Sequence, residues 1–286
     1  MIFWLASYPK SGNTWIRSLL SAYLFSEDGN FNFKLLNNIK QFSSNHYILN
    51  NKIGLSSQEI IYKNWIPSQK KINEDSEIHI LKTHNALCNI NGYNFTDKFN
   101  TVGAIYIVRD PRNLIISISN HYNLSHDDAY NFIINKKKII FPKISREEET
   151  KEHQEKEFNF LSDWSSHYKS WKNINFCPVK VIKYEDMIKN DHEVFTSILK
   201  FLSKFLKIHI DKKKINNVLA STTFKKLSQM ENKYGFEESV ISARTNKKNK
   251  FFNLGKENNW KKLLNSGIRK KVEKIFENDM VELEYL

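Results

Sequence analysis

Residues 2 to 24 constrain the fold more than any other stretch. An apolar run from Ile2 to Ala6, short enough for a buried strand, meets Pro9 and Gly12. Apolar residues then recur at Trp15, Ile16, Leu19, Leu20, Tyr23 and Leu24 with helical spacing. The order is strand, tight loop, helix. The loop carries Lys10 and the hydroxyls of Ser11 and Thr14, and Gly12 leaves the backbone free to turn its N–H groups inward. Such amides, beside the positive end of the following helix, form an anion site that needs no metal, and phosphate is the expected ligand. The plainer reading is a strand-to-helix turn with an incidental lysine. An ordinary nucleoside triphosphatase is disfavoured, because Lys10 precedes the nearby glycine where the pattern G-x-x-x-x-G-K-[ST] has it following.

The segment Tyr8-Pro9-Lys10-Ser11-Gly12-Asn13-Thr14-Trp15 resembles the 5′-phosphosulfate loop of the sulfotransferases that use 3′-phosphoadenosine-5′-phosphosulfate (PAPS), usually written Y-P-K-S-G-T-T-W. Asn13 stands where threonine is commoner and keeps a donor and an acceptor there. The resemblance implies that Lys10, Ser11, Gly12, Asn13, Thr14 and Trp15 hold the 5′ end of the nucleotide.

Five later segments extend it. Ile78 to Thr83 reads as a second strand, ending at His84. In an open α/β sheet the working residues gather at the carboxyl ends of strands, so His84 would face Lys10 if the two strands are parallel neighbours. Lys82-Thr83-His84 is similar to the family's K-[ST]-H segment, which implies His84 as general base with Lys82 behind Lys10. Val102 to Val108 is a continuous apolar run, suited to a parallel strand covered on both faces. Arg109-Asp110-Pro111-Arg112 and a helix to about Tyr122 follow it. Arg109 and Ser117 resemble the family's 3′-phosphate site, where a guanidinium fork suits a terminal phosphate. An Arg–Asp pair capping a sheet edge is the alternative.

Val179 to Lys183 predicts a strand, and Tyr184-Glu185-Asp186-Met187 matches the family's Y-E-D segment. That likeness implies Tyr184 near the adenosine, while the two acids suit a helix start. Ser221-Thr222-Thr223-Phe224 resembles an adenine-side helix start, with Thr222 and Phe224 as contacts. Gly255, Trp260 and Lys261 match the late R-K-G-x-x-G-D-W-K segment, but Asn253 and Leu254 replace its basic pair and Asn258 its second glycine. Lys256 or Arg244 is then the expected substitute at the 3′-phosphate. Phe160 to Trp171 has helical spacing, with His167 read as structural, and an amphipathic helix closes the chain from Gly267.

Composition adds limits. The chain of 286 residues, 40% hydrophobic, is long enough for one large core. We expect one domain over 1–286, with substrate-side excursions at about 26–76 and 123–156. No stretch approaches a membrane span, and the first strand begins almost at Met1, so a cytoplasmic location is expected. Cys88 and Cys177 lack C-x-x-C spacing and are expected as buried free thiols. The net charge of +13 is spread over separate lysine runs (136–138, 212–214, 247–250) without a nucleic-acid motif, so a solvated basic surface that steers anions is expected.

The expectation is an α/β fold of the sulfotransferase type, a P-loop-like open parallel sheet flanked by helices. It implies transfer of a sulfuryl group from PAPS, leaving 3′,5′-adenosine bisphosphate (PAP), to a small-molecule, carbohydrate or lipid hydroxyl or amine. No metal and no nucleic acid are called for. Two alternatives stay open: a P-loop kinase, and a non-catalytic anion- or nucleic-acid-binding protein.

Overall fold

The computed structural model describes residues 1–42, 57–140, 159–240 and 248–286. Its centre is a four-stranded parallel sheet of β1 (Ile2–Ser7), β2 (His79–Thr83), β5 (Thr101–Val108) and β8 (Val179–Lys183), in the order β2-β1-β5-β8. Register pairs Ala6 with both Thr83 and Tyr106, so β1, β2 and β5 end level. Two short antiparallel pairs lie outside this sheet, β3 (Asn89–Ile90) with β4 (Tyr93–Asn94) and β6 (Ile139–Ile140) with β7 (Asn159–Phe160).

Both faces of β1 are covered, which is why its sequence is apolar without alternation. Phe3 and Leu5 join Ile105, Ile107 and Ile182 in one core, under α1 (Asn13–Phe25) and the helix Asp191–Leu202. Ile2, Trp4 and Ala6 join Ala104, Tyr106 and Val108 in the other, with Trp65, Phe95, Trp164 and Trp171. Trp4 is fully buried with its indole N–H donated to Thr101 Oγ1 (2.8 Å), so the large ring leaves no polar atom unpaired.

The strand order places β2 and β5 on opposite sides of β1. The chain therefore leaves the end of β1 where neighbouring connections diverge, the position at which open α/β sheets form a crevice.

Several expectations change in detail. The helix expected from Phe160 begins at Trp164: Asp163 accepts from Ser166 N (2.8 Å) as its cap, and Phe160 belongs to β7. The closing helix is two, Ser266–Ile275 and Glu277–Glu282, separated at Phe276. Phe31, Phe42 and Trp65, from the expected excursion at 26–76, are core residues, and Tyr47 lies outside the described residues. In the second excursion, residues 141–158 are likewise outside them, while His126–Ile134 is a helix capped by Ser125. Cys88 and Cys177 are free thiols, partly exposed where full burial was expected. Among the described residues no helix is long and apolar enough to cross a membrane.

Candidate active site

The loop after β1 is a tight turn held in an unusual conformation. Ser11 N bonds Tyr8 O (3.3 Å), Lys10 has φ +67° and Gly12 φ +99°. A left-handed lysine costs of order 1 kcal/mol, and Arg109 offsets this by donating from Nη1 to the Lys10 carbonyl (2.9 Å). Gly12 N-caps α1, and Trp15 N and Ile16 N both return to its carbonyl. The amides of Asn13 and Thr14, in the first helical turn, have no intrahelical acceptor. A Cβ on Gly12 would stand 2.4 Å from Tyr184 Cδ2, so the aromatic ring requires glycine here. Asn13 is turned the other way: its amide donates to Leu5 O (3.1 Å) and Ser7 Oγ (3.2 Å), tying the loop to its strand. Its Oδ1, an acceptor, is buried without a partner, so the donor left for an anion is its backbone N–H. Ser11 is fully buried and its Oγ has no partner.

A cleft of about 460 Å³ opens above the level ends of the strands. It brings together Lys10, Gly12, Asn13, Thr14 and Trp15 from the loop and the start of α1, Lys82 of β2 with His84 just after it, Arg109 just after β5, and Ser117 of the helix Pro111–Tyr122. Tyr184, Phe224, Gly255 and Lys256 complete it from the later chain.

Ser11 is not among them, and neither is Thr222. Thr222 is fully buried at the end of the helix Lys212–Ser221, and its hydroxyl donates back to Val218 O (2.7 Å). The next residue, Thr223, lines the cleft and caps the helix Phe224–Tyr234. The expectation for Thr222 is thus corrected by one position. Arg244 lies outside the described residues.

His84 is held from two sides. Its Nδ1 lies 2.8 Å from Ser7 O and 3.3 Å from Ser7 Oγ. A carbonyl oxygen only accepts, so Nδ1 carries the proton and Nε2 is left bare. The backbone is pinned as well: His167, fully buried, donates from Nε2 to His84 O (3.0 Å) and accepts Tyr106 O–H at Nδ1 (2.9 Å). His167 is structural, as expected. Burial and the neighbouring Lys82 charge push the His84 imidazole down to about 3, so it is neutral at physiological pH.

Lys10 is pushed down to about 7 by burial, reinforced by the Arg109 and Lys82 charges and opposed by Glu238 and Glu231. Its ammonium sits 3.4 Å from the centre of the Phe251 ring. Arg109 stacks 4.2 Å from the centre of Tyr184, and its Nε is buried without a partner.

Four residues escaped the sequence reading. Glu238 accepts from Thr14 Oγ1 (2.9 Å), Arg17 Nη1 (2.7 Å) and Lys82 Nζ (2.9 Å). Arg17 shares the Thr14 face of α1 at i+3, a signal that was available. Glu231 gathers Ser239 Oγ, Phe251 N and Phe252 N, which folds residues 239 and 251–252 back on the helix Phe224–Tyr234. His121 lines the cleft one helical turn past Ser117, again at a readable spacing. Nothing in the sequence marks Glu238 or Glu231, because their partners lie far away in the chain or are backbone atoms.

The late motif docks on the same helix start as Arg109. Trp260 N bonds Asn113 Oδ1 (2.9 Å), Asn258 Nδ2 bonds Asn113 O (3.1 Å), and the Trp260 ring lies 3.9 Å from Arg112. Gly255 has φ +53°, and a Cβ there would meet the Phe224 ring at 2.7 Å. Asn253 and Leu254 line the cleft, and Lys256 is exposed at its rim. Lys261 is exposed and lies outside the cleft lining. Glu185 accepts from Asp110 N (3.1 Å) and Tyr285 O–H (2.8 Å), so it works as a structural acid. Among the described residues no group of three or more His, Cys, Asp or Glu is arranged to hold a metal.

The comparisons with known proteins give the family and the fold. The family model for the sulfotransferase domain matches residues 2–284. Among curated proteins no sequence matches the chain. The fold is similar to that of mouse sulfotransferase SULT7A1, solved in complex with PAP, with a TM-score of 0.59 and 19% identity over 98% of this chain and 83% of that one. The chain belongs to the sulfotransferase domain family.

Proposed function

We propose that this sulfotransferase takes its sulfuryl group from PAPS and passes it to a hydroxyl or amine, with His84 as general base. The observation that carries the reading is the convergence of the phosphate loop, His84, Arg109 and Ser117 on one cleft at the strand ends. The residues present fit a nucleotide with two phosphate ends. Two glycine cradles lie against aromatic rings, Gly12 on Tyr184 and Gly255 on Phe224, and the buried Arg109 Nε lacks an acceptor. The amides of Gly12 to Trp15 with Lys10 and Thr14 would hold the 5′ end. Arg109, Ser117 and Lys256 would hold the 3′-phosphate, and Tyr184, Thr223 and Phe224 the adenosine. When bound, PAPS supplies a sulfuryl group already joined to a good leaving group.

In this reading the protein supplies position and charge. Nε2 of His84 takes the acceptor proton while the acceptor oxygen or nitrogen attacks in line, and the S–O bond to the 5′-phosphate breaks. Lys10 and Lys82 meet the charge that develops on the departing oxygen. Neutral His84 is in the right form at the start, and the anionic donor beside it offsets the effect of Lys82 and strengthens the base. Small-molecule acceptors suit the family; carbohydrate or lipid acceptors, a single domain over 1–286 and no role for nucleic acid belong to this proposal. So does a cytoplasmic location, supported by two free thiols.

Thermal unfolding with PAP, ATP and ADP tests it. PAP at 100 times its dissociation constant is expected to stabilise by about 2.7 kcal/mol, and ATP by much less. An equal response to all three nucleotides, or none to PAP, defeats the PAPS reading.

A further inference from the structure

Among the described residues, one acidic side chain is bonded inside the phosphate loop, and it sits on groups that the proposed function assigns to the donor. Glu238 Oε2 accepts from Thr14 Oγ1, and Oε1 accepts from both Arg17 Nη1 and Lys82 Nζ, at 2.9, 2.7 and 2.9 Å. Burial alone would raise this carboxyl, yet the Lys82 and Arg17 charges, with bonds from Lys82 and Thr14, draw it well below the usual range. It is therefore a full anion. The Thr14 hydroxyl has one proton, and while that proton is given to Glu238 it is not available to a phosphate or sulfate oxygen. Lys82 is similarly engaged, with its side chain only 4% exposed.

The contact is built. Arg17 does not line the cleft, is 8% exposed, and also donates from Nη2 to Leu36 O (2.8 Å), so it grips Glu238 from behind the site. Glu231 fixes the neighbouring Ser239 (2.8 Å) and the backbone at Phe251 (2.7 Å). The segment that presents Glu238 is thus anchored on both sides, beside the ring that faces Lys10.

We propose that Glu238 is a specificity-determining residue of the anion seat: an internal carboxylate that an incoming ligand must outcompete for Thr14 Oγ1 and Lys82 Nζ. The inference rests on the proposed function for the ligand's identity. Two charge-assisted hydrogen bonds, from Thr14 and Lys82, must be given up, so a lone small anion is a poor competitor. A ligand that adds several anionic oxygens and contacts elsewhere, as a 5′-phosphosulfate with a 3′-phosphate does, offsets that loss. Arg17 keeps the displaced carboxylate near, which avoids leaving a buried guanidinium uncompensated. Glu238 thereby makes the seat selective for the whole nucleotide over free sulfate or phosphate.

The test is calorimetric titration of the wild type, Glu238→Gln and Glu238→Asp with inorganic sulfate and, separately, with PAP. Gln keeps the size and removes the charge; Asp keeps the charge and shortens the reach, and it serves if the first variant does not fold. Sulfate is expected to bind at least tenfold more tightly to either variant than to the wild type, with a smaller gain for PAP. Unchanged or weaker sulfate binding in the folded variants overturns the inference and makes Glu238 a support for Lys82. The two readings fail separately. Tighter sulfate with no PAP binding to any form keeps the competing carboxylate and removes the PAPS assignment; PAP binding to the wild type without sulfate tightening does the reverse.

Discussion

The two halves of the cleft are built by different means. The early half comes from strand ends: Ser7 and His84 at the ends of β1 and β2, and Arg109 at the end of β5, are level because the parallel register makes them so. Its polar groups are fixed by backbone, with His84 on Ser7 O and Arg109 on Lys10 O. The described residues of the late half, 223–240 and 248–258, contribute no strand to the main sheet. Side chains hold it, through Glu231 on the backbone of Phe251 and Phe252, Glu238 on Thr14 and Lys82, and the clustered rings of Phe236, Phe251 and Phe252. A sheet tolerates change in one side chain, because its hydrogen bonds are main-chain. The late half depends on two carboxylates.

The largest expected effect falls on the early half. His84→Ala leaves the sheet, the loop and the donor contacts in place, so PAP binding is expected to stay within a few-fold of the wild type. Turnover should fall at least a hundredfold, about 2.7 kcal/mol or more in the barrier. Initial rates at saturating donor, set beside PAP titration, measure the split. Near-normal turnover would remove His84 as the base, and a parallel loss of PAP binding would make it a structural residue like His167.

Next comes Glu231→Ala, which attacks the late half alone. It leaves two backbone N–H groups, at Phe251 and Phe252, without their acceptor, and each such loss costs about 1–3 kcal/mol. Urea denaturation should show roughly 2–6 kcal/mol less stability, in a chain whose β1 and β2 contacts are untouched. A loss under about 0.5 kcal/mol would mean that the aromatic cluster alone holds the late half.

A third expectation joins the two halves through Lys10, which lies on the early loop beneath the late Phe251. Burial brings Lys10 to about 7 in the free protein, against 10.5 ordinarily. A bound anion favours the ammonium and raises that value. Below pH 7 the lysine is charged in both states and contributes no pH dependence. Above pH 7 binding takes up a proton, so PAP affinity should fall by up to tenfold per pH unit until the bound-state value is passed. Lys10→Met should flatten this slope, and a wild-type affinity level from pH 7 to 9 would show that Lys10 stays charged when free.

This contrast also explains what could be read in advance. The β1 loop, His84 and Arg109 were legible because an apolar run followed by a polar residue marks the end of a buried strand, and strand ends converge in a parallel sheet. His121 and Arg17 were within reach, at i+4 from Ser117 and i+3 from Thr14, but helical spacing only says that they share a face. Thr222 was misplaced by one residue because which of two adjacent threonines caps a helix depends on where the chain turns, and Thr223 has that position. Glu238 was not legible: its three partners lie at residues 14, 17 and 82, and no local pattern links them to a loop that follows Tyr234.

The smallest effect expected is at the departure from the family's late motif, where Asn253 and Leu254 stand in place of a basic pair. If backbone-built geometry carries the 3′-phosphate, Arg109 and Ser117 bear most of it, and the exposed Lys256 adds a solvent-screened contribution of about 0.2–1 kcal/mol. Lys256→Ala should then weaken PAP binding only a few-fold at low salt, and less at 0.5 M, where exposed charges are screened over about 4 Å. Arg109→Ala should cost far more, since it also frees the Lys10 carbonyl that stabilises the left-handed turn. PAP titrations of both variants at two salt concentrations measure the ratio. A hundredfold loss for Lys256→Ala that survives high salt would reverse the comparison: the late half would then grip the nucleotide through a lysine drawn into the cleft, and the missing basic pair would have been replaced from within the same turn.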